Sequence, residues 1–439
     1  MIAQSNLLVR NRDFRLVWIG QVLSQAGSRA YFINLLWWIV TTMSPESGDG
    51  QRSAWASGFL LIIMGLPSVL FLSWIGRVLA RRASKDILVG FECLGALFSL
   101  VVFGLAVSGG LTLPLIYGLS ALIALCQAFV DPTLIKAVPE LVDPVDVEEA
   151  VGFESSTQAL AFFSGAALGA VASGTLGFSV TIALNTISYA LSAWMTSRAN
   201  FRTSIDLKSS SSPEAALSKE AKKDSNKDSN FGLDDSAGKG LSPEVGPLLL
   251  AFGLANVFIF PLFLILPLFV KQSFEGSILM LGFYEACFWL GLIIGASQAW
   301  RLRVTGSFLK LSALLFLIFG ALICSIPLNS SSVWVGLVLM CGGISAGLVN
   351  VKIVTYFQSA VPEAGRGAFF AKLQAFVAGA QPLSYLIFTG VLMVVSPLHT
   401  FAISGLGLAC IGAICWWYDR RLSAGVIGVA GAKQVRFIR

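Results

Sequence analysis

The chain has 439 residues, of which 56% are hydrophobic and only 12% charged, against roughly 25% charged in soluble domains. That makes about 246 apolar residues, close to the roughly 240 that twelve membrane spans of about 20 residues need, and a mean hydropathy of +0.78 excludes a water-soluble enzyme. The 30 Lys plus Arg and 24 Asp plus Glu give a net charge of +6, yet the cations sit between apolar runs and mostly on one side of them, which argues for a membrane and against nucleic acid.

Taken in chain order, the apolar runs predict spans over about 14–42, 54–80, 87–107, 113–130, 150–173, 177–197, 247–270, 278–300, 307–327, 334–358, 367–395 and 398–418. The first run, from Phe14, is longer than the apolar core of a signal peptide, so no cleaved leader is expected. Pro67, Pro261, Pro267 and Pro382 fall within spans, where neighbouring helices re-satisfy the freed backbone groups. Residues 198–246 are rich in Ser, Lys, Asp and Glu and too poor in apolar residues to bury a core, so they read as a disordered linker. The expected organisation is a six-helix half over 1–197, the linker over 198–246, a second half over 247–418 and a basic tail over 419–439.

Basic residues orient this all-α, integral-membrane bundle of twelve transmembrane helices. Arg10, Arg12, Arg15, Arg77, Arg81, Arg82, Lys85, Lys136, Arg301, Arg303, Lys310, Arg366 and Lys372 would share one side with the linker and tail, against Arg52 and Lys271 on the other. Both termini are therefore expected to be cytoplasmic. Trp55, Trp194, Trp300, Trp334, Trp416 and Trp417 fall near span ends, as in an aromatic belt.

Enzyme and cofactor chemistry find no foothold. The seven cysteines lie inside apolar runs with no CxxC pair, so neither a disulfide framework nor a metal site is expected. Gly238-Lys239-Gly240 lacks the spacing and the following Ser or Thr of a phosphate loop. His399, in a short turn before the last span, reads as interfacial.

Ionisable residues inside spans are costly and therefore informative, at roughly 2.5 to 3.5 kcal/mol each at a helix centre. Arg29 lies about 22 Å along a first span about 43 Å long, near the midplane, as a site residue or half of a structural pair. Glu285 is about 10 Å from one end of span eight, with the same two readings, and Lys352 about 9 Å from the inner end of span ten, within reach of headgroups. Glu92, Asp131 and Glu154 lie nearer the cytoplasmic ends, as interfacial charges or gate partners. Gln21, Gln25 and Arg29 recur every four residues on one face of span one, with Asn34 beyond, and Asn256, Asn350 and Gln381 are candidates to face them across a cavity. Phe32, Trp37, Trp38 and Phe260 are candidates to stack on a bulky ligand, or simply core and lipid-facing rings.

Several segments carry a family resemblance. The opening Asn11-Arg12-Asp13-Phe14-Arg15-Leu16-Val17-Trp18-Ile19-Gly20-Gln21 with Leu23-Ser24-Gln25-Ala26-Gly27 resembles the major facilitator superfamily, and within it the drug and siderophore exporters that include macrolide efflux proteins and the enterobactin exporter. Val138-Pro139-Glu140-Leu141-Val142, Asn185-Thr186-Ile187-Ser188-Tyr189 and Gln358-Ser359-Ala360-Val361-Pro362-Glu363 with Arg366-Gly367 are similar to later segments of that group. Two departures stand out. The loop Gly76–Lys85 reads GRVLARRASK, with Arg81 where the family has an aspartate, and the fifth-span pattern appears as Gly165-Ala166-Ala167-Leu168-Gly169-Ala170 without its proline.

The resemblance implies the major facilitator fold, with spans one, four, seven and ten around a central cavity and alternating access between two halves. It implies a gating role for Arg77, Arg81, Arg82 and Lys85 in the loop, extended to Asp131, Glu154, Glu92, Lys352 and Arg366. The expected function is proton-coupled export of a small amphipathic or anionic molecule across a bacterial inner membrane by a monomer. Arg29, Gln25, Gln21, Asn34, Asn256, Asn350 and Gln381 would bind the substrate and Glu285 would carry the proton. Lipids and protons are the other expected partners, and no cofactor is expected. A lipid or lysolipid flippase on the same fold, and a transport-dead sensor, are the alternatives.

Overall fold

Helices account for the regular structure, and no strand occurs among the described residues. The computed structural model describes residues 7–43, 50–202, 244–273, 277–302, 307–329 and 331–424, side chains included except at 148, 154–156, 363–364, 367–368 and 423. Residues 203–243 of the expected linker, 425–439 of the tail, Arg303 and the side chain of Glu154 lie outside the described residues.

The helices are α1 (Leu7–Arg10), α2 (Arg12–Met43), α3 (Gly50–Leu70), α4 (Leu72–Arg81), α5 (Ser84–Val107), α6 (Leu113–Leu141), α7 (Val147–Leu176) and α8 (Phe178–Arg198). After residue 243 come α9 (Val245–Ile259), α10 (Leu262–Ser273), α11 (Ile278–Gln298), α12 (Phe308–Cys324), α13 (Ser332–Ala360), α14 (Glu363–Leu392) and α15 (Pro397–Ser423).

Ten helical stretches among the described residues are long and apolar enough to cross a membrane, rather than twelve. The expected first and sixth spans, α2 with 32 residues and α8 with 21, have the length but not the hydropathy. The cause is their polar content, part of which pairs inside the bundle, while Gln21 Oε1, Asn185 Oδ1 and Thr196 Oγ1 have no hydrogen-bond partner among the described atoms. Gln21 of α2 donates to Ser192 of α8 at 3.3 Å, Ser28 donates to the Tyr189 hydroxyl at 2.9 Å, and Asn185 donates to Ser99 of α5 at 3.2 Å.

Three span boundaries differ from the sequence expectation. The run at 54–80 breaks at Phe71, where an apolar helix gives way to the amphipathic α4. The fourth span continues past residue 130 to Leu141 as one helix despite Pro132 and Pro139. The seventh divides at Phe260 and Pro261. Proline has no N–H to give the carbonyl four residues back. Ser384 of α14 supplies that donor, bonding the Val257 carbonyl at 2.7 Å, and Ser404 of α15 bonds the neighbouring Phe258 carbonyl.

Packing falls into two sets. Before residue 203, α2 lies on α7 and α8, α5 on α6 and α8, and α3 on α6; after 243, α11 lies on α13, α12 on α13 and α15, and α9 on α14 and α15. The sets meet chiefly through α3 with α14 and α7 with α11. These contacts include the end of the bundle opposite the termini: Gln51 of α3 donates to the Met393 carbonyl at 2.8 Å, and Gly174 of α7 abuts Leu279 of α11.

The face carrying the termini is tied within the first set. Asn11 donates to the Leu141 carbonyl at 2.9 Å, the Asn200 amide donates to Asp13 at 3.1 Å, and Arg10 pairs with Asp146 at 2.5 Å. The first two resembling segments of the sequence therefore pack on each other here.

Candidate functional site

Between the two sets lies a cavity of about 710 Å³, lined by α2, α6 and α7 on one side and α9 to α14 on the other. Its lining reaches the face that carries the termini, where Asp131, Ile135 and Val151 are exposed. Toward the opposite end it closes on the aromatic rings of Phe263, Phe288 and Trp289.

Just beyond those rings Arg29 of α2 pairs with Glu285 of α11 across the two sets. Both are buried, at 9% and 1% exposure. The Arg29 guanidinium carbon stands 4.6 Å from the Phe32 ring centre, 4.8 Å from Phe263, 5.4 Å from Phe162 and 5.6 Å from Trp289. Such contacts stabilise a cation by about 0.5 to 2 kcal/mol each. Arg29 Nε nevertheless has no hydrogen-bond partner among the described atoms, so the buried charge is held by a single short ion pair and ring faces.

Local sequence puts the pair there. A Cβ on Gly165 of α7 would stand 2.4 Å from the Ala26 carbonyl oxygen and 2.8 Å from Arg29 Cβ, so glycine is what lets α2 approach at this level. One turn before Glu285, a Cβ on Gly282 would stand 2.1 Å from the Ala170 Cβ, which fixes α11 against α7. Small residues at such crossings permit close backbone approach in a membrane.

The sequence candidates separate into groups. Gln25, Asn256 and Asn350 line the cavity, together with Asp131. Gln21 and Ser24 instead donate to Glu92 of α5 at 2.9 Å each, so Gln21 and Glu92 form a wholly buried knot inside the first set. Asn34 donates to the Phe178 carbonyl at 2.9 Å and accepts from Ser173, tying α2 to the turn between α7 and α8, away from the cavity. Gln381 is half-buried beside the Tyr385 hydroxyl and outside the lining, as is Lys352.

The loop cations also divide. Lys85 donates to the Ala199 carbonyl at 2.8 Å, a tie at the end of α8, and Arg366 reaches the Val361 carbonyl at 3.4 Å. Arg77, Arg81 and Arg82 line a separate groove between α4 and α5.

Sequence reasoning missed Gln158, Gln374 and most of the ring lining, including Phe263 and Trp289. A signal existed for part of it. Trp289 follows Glu285 by four positions, the spacing that places neighbours on one helix face.

Comparison with known proteins agrees with this architecture. A family model described as Major Facilitator Superfamily matches residues 17–385. Among solved structures, a D-xylose–proton symporter superposes with a TM-score of 0.70 at 11% identity, covering 93% of this chain and 96% of its own. A peptide transporter, POT, gives 0.67 at 12% over 94% and 95%, and a nucleoside transporter, NupG, gives 0.64 at 11% over 93% and 99%. At these identities the likeness is one of fold. No curated protein sequence matches the chain.

Proposed function

The chain belongs to the Major Facilitator Superfamily, and on that premise we propose that it is a proton-coupled exporter of small amphipathic molecules, working by alternating access in a bacterial inner membrane. In this reading α2 and α8 complete twelve spans, both termini are cytoplasmic, residues 1–197 and 247–418 are the two rocking halves, and 198–246 links them. The observation that carries it is the ion pair between Arg29 and Glu285, which joins the two sets at the closed end of a cavity open on the other side.

The pair supplies a physical basis for coupling. A buried ion pair holds while both partners are charged, and removing one charge leaves the other unpaired at a cost of several kcal/mol. A proton delivered to Glu285 neutralises the carboxylate, leaves the Arg29 cation to the ring faces alone and loosens α2 from α11. That proton comes from the acidic outer side; the sets separate at the closed end and the substrate leaves there. Once they close again the proton is lost to the inner-side cavity, which re-forms the pair, so proton and substrate cross in opposite directions.

The lining supports an amphipathic cargo. Rings from Phe252, Phe260, Phe263, Phe288 and Trp289 offer stacking surfaces, with amides from Gln25, Asn256, Asn350 and Gln158 between them. Among the described residues the one charged side chain in the lining is Asp131. With Arg29 already neutralised by Glu285, the cavity in this state favours neutral or cationic amphipaths over the anions expected from Arg29 alone.

Everted membrane vesicles energised to be acidic inside test this reading with a fluorescent amphipathic cation such as ethidium. Dye uptake above that of vesicles lacking the protein, abolished by a protonophore, is the expected result. Uptake that persists with the proton gradient collapsed would remove the coupling.

A further inference from the structure

A second depression, separate from the central cavity, lies where α4 turns into α5 on the face that carries the termini. It has a volume of about 600 Å³. Trp74, Arg77, Val78 and Arg81 line it from α4, at positions i, i+3, i+4 and i+7, so one helix face supplies that wall. Ile87, Gly90, Phe91 and Leu94 line it from α5 at the same spacing, with Arg82 and Asp86 from the corner.

Three arginines against one carboxylate leave the groove net positive. Arg77, Arg81 and Arg82 are all exposed, and among the described residues their side chains make one hydrogen bond, from Arg77 Nε to the Ser73 carbonyl at 3.3 Å within the same helix. The floor is open: a Cβ on Gly90 would meet no atom within 4 Å. The walls are rigid, because Trp74 packs edge-on to Phe129 at 4.9 Å, Phe129 stacks on Phe91 at 4.1 Å, and Lys136 of α6 ties down the Leu79 and Arg82 carbonyls at 2.8 and 2.9 Å.

We propose that this groove is a binding site for the phosphate headgroup of an anionic phospholipid. The charge complementarity selects an anion, and the surroundings select a lipid over a free ion. Leu72 and Trp74 on α4 and Leu94 and Leu97 on α5 are exposed large apolar side chains that continue the groove wall along the spans, where acyl chains lie. Arg81 and Arg82 stand at the end of α4 with Arg77 one turn before them, and basic pockets between helices at headgroup depth hold anionic headgroups. Arginine offers paired N–H donors to phosphate oxygens. Arg81, where the family resemblance calls for an aspartate, adds to this charge rather than opposing it. The site is independent of the transport reading, since none of its residues lines the central cavity.

Native mass spectrometry of the full-length protein, titrated with phosphatidylglycerol and with phosphatidylcholine, tests it. The expected result is preferential retention of phosphatidylglycerol, weakened about tenfold or more in R77Q/R81Q/R82Q. Gly90→Phe, which fills the floor and leaves every arginine in place, should weaken it comparably, whereas Gly90→Ala should retain it and R77K/R81K/R82K, which keeps the charge without the paired donors, should lose less than R77Q/R81Q/R82Q. Equal retention of the two lipids, or unchanged binding in both the glutamine variant and Gly90→Phe, would overturn the proposal. So would displacement of the lipid by millimolar inorganic phosphate, which would make the site one for free anions. If the glutamine variant does not fold, Gly90→Phe against Gly90→Ala decides the question alone.

Discussion

Arg29 and Glu285, separated by 256 positions in the chain, form a buried ion pair between the two helix sets, enclosed by four aromatic rings at the closed end of the central cavity. An ion pair in such surroundings holds the sets together only while both groups are charged.

Removing one partner should therefore cost more than removing both. Glu285→Ala leaves a guanidinium buried among rings, a loss of about 3 to 5 kcal/mol, while the double variant Arg29→Leu, Glu285→Leu should recover most of it. Thermal unfolding of the purified protein measures the order. A single variant as stable as the double would mean that the pair is not energetically coupled.

The close approach of α7 and α11 gives a second prediction. Gly282→Leu places a side chain where even a Cβ would stand 2.1 Å from Ala170 Cβ, so the closed end should fail to seal and dye transport should fall at least tenfold with the protein still inserted. Gly379→Ala, on α14 with nothing within 4 Å of its Cβ, should leave transport unchanged. Vesicle transport normalised to membrane content of each variant checks both.

How much of this was legible beforehand follows from what each signal encodes. Cost inside a membrane made Arg29 and Glu285 stand out singly, because a charge among apolar neighbours is visible in one dimension. Their pairing was not visible, since no spacing relates residues on α2 and α11. Helix periodicity put Gln21, Gln25 and Arg29 on one face, yet that face is divided three ways in space: Gln21 to Glu92, Gln25 to the cavity, Arg29 to Glu285. Glu92 reads in the sequence as an interfacial charge or gate partner, and the structure places it in a buried knot whose donors lie on α2. Pro261 reads in the sequence as a proline tolerated within span seven through neighbouring helices; the structure breaks the span there, and Ser384 and Ser404, more than a hundred residues away, take the freed carbonyls. Polar content inside α2 and α8 both lowered their hydropathy below that of the ten apolar stretches and held them together.

That repair of the α9–α10 break can be measured. Ser384→Ala leaves the Val257 carbonyl without its donor in a buried site and should cost about 1 to 3 kcal/mol. Ser312→Ala, whose hydroxyl bonds the Phe308 carbonyl within an unbroken helix, should be close to neutral. Equal losses of thermal stability in the two variants would contradict the role given to Ser384.

Glu244 predicts a pH dependence outside the spans. Burial pushes its carboxyl above the ordinary glutamate range, against the lowering effect of hydrogen bonds from Ser307 and the Phe308 amide, while nearby Asp419 adds to the rise. The folded state then holds this proton more tightly than the unfolded state does. Stability from this group falls as pH rises from the ordinary range through the raised folded value. Glu244→Gln should match wild type in relative stability below that window and gain on it above. Melting curves at about pH 4 and about pH 8 measure the difference, and a wild-type pH response unaltered by the substitution would contradict it.

The most direct test of the central claim needs no substrate. Spin labels at Trp55 and Val394 report the end opposite the termini, and labels at Val145 and Trp300 report the open face; all four positions are exposed. If protonation of Glu285 releases the two sets, Glu285→Gln should lengthen the Trp55–Val394 distance and shorten the Val145–Trp300 distance at neutral pH, and acid should do the same in the otherwise unaltered protein but add nothing in the variant. Distance distributions that stay the same in Glu285→Gln and in its parent across the pH range would contradict the account.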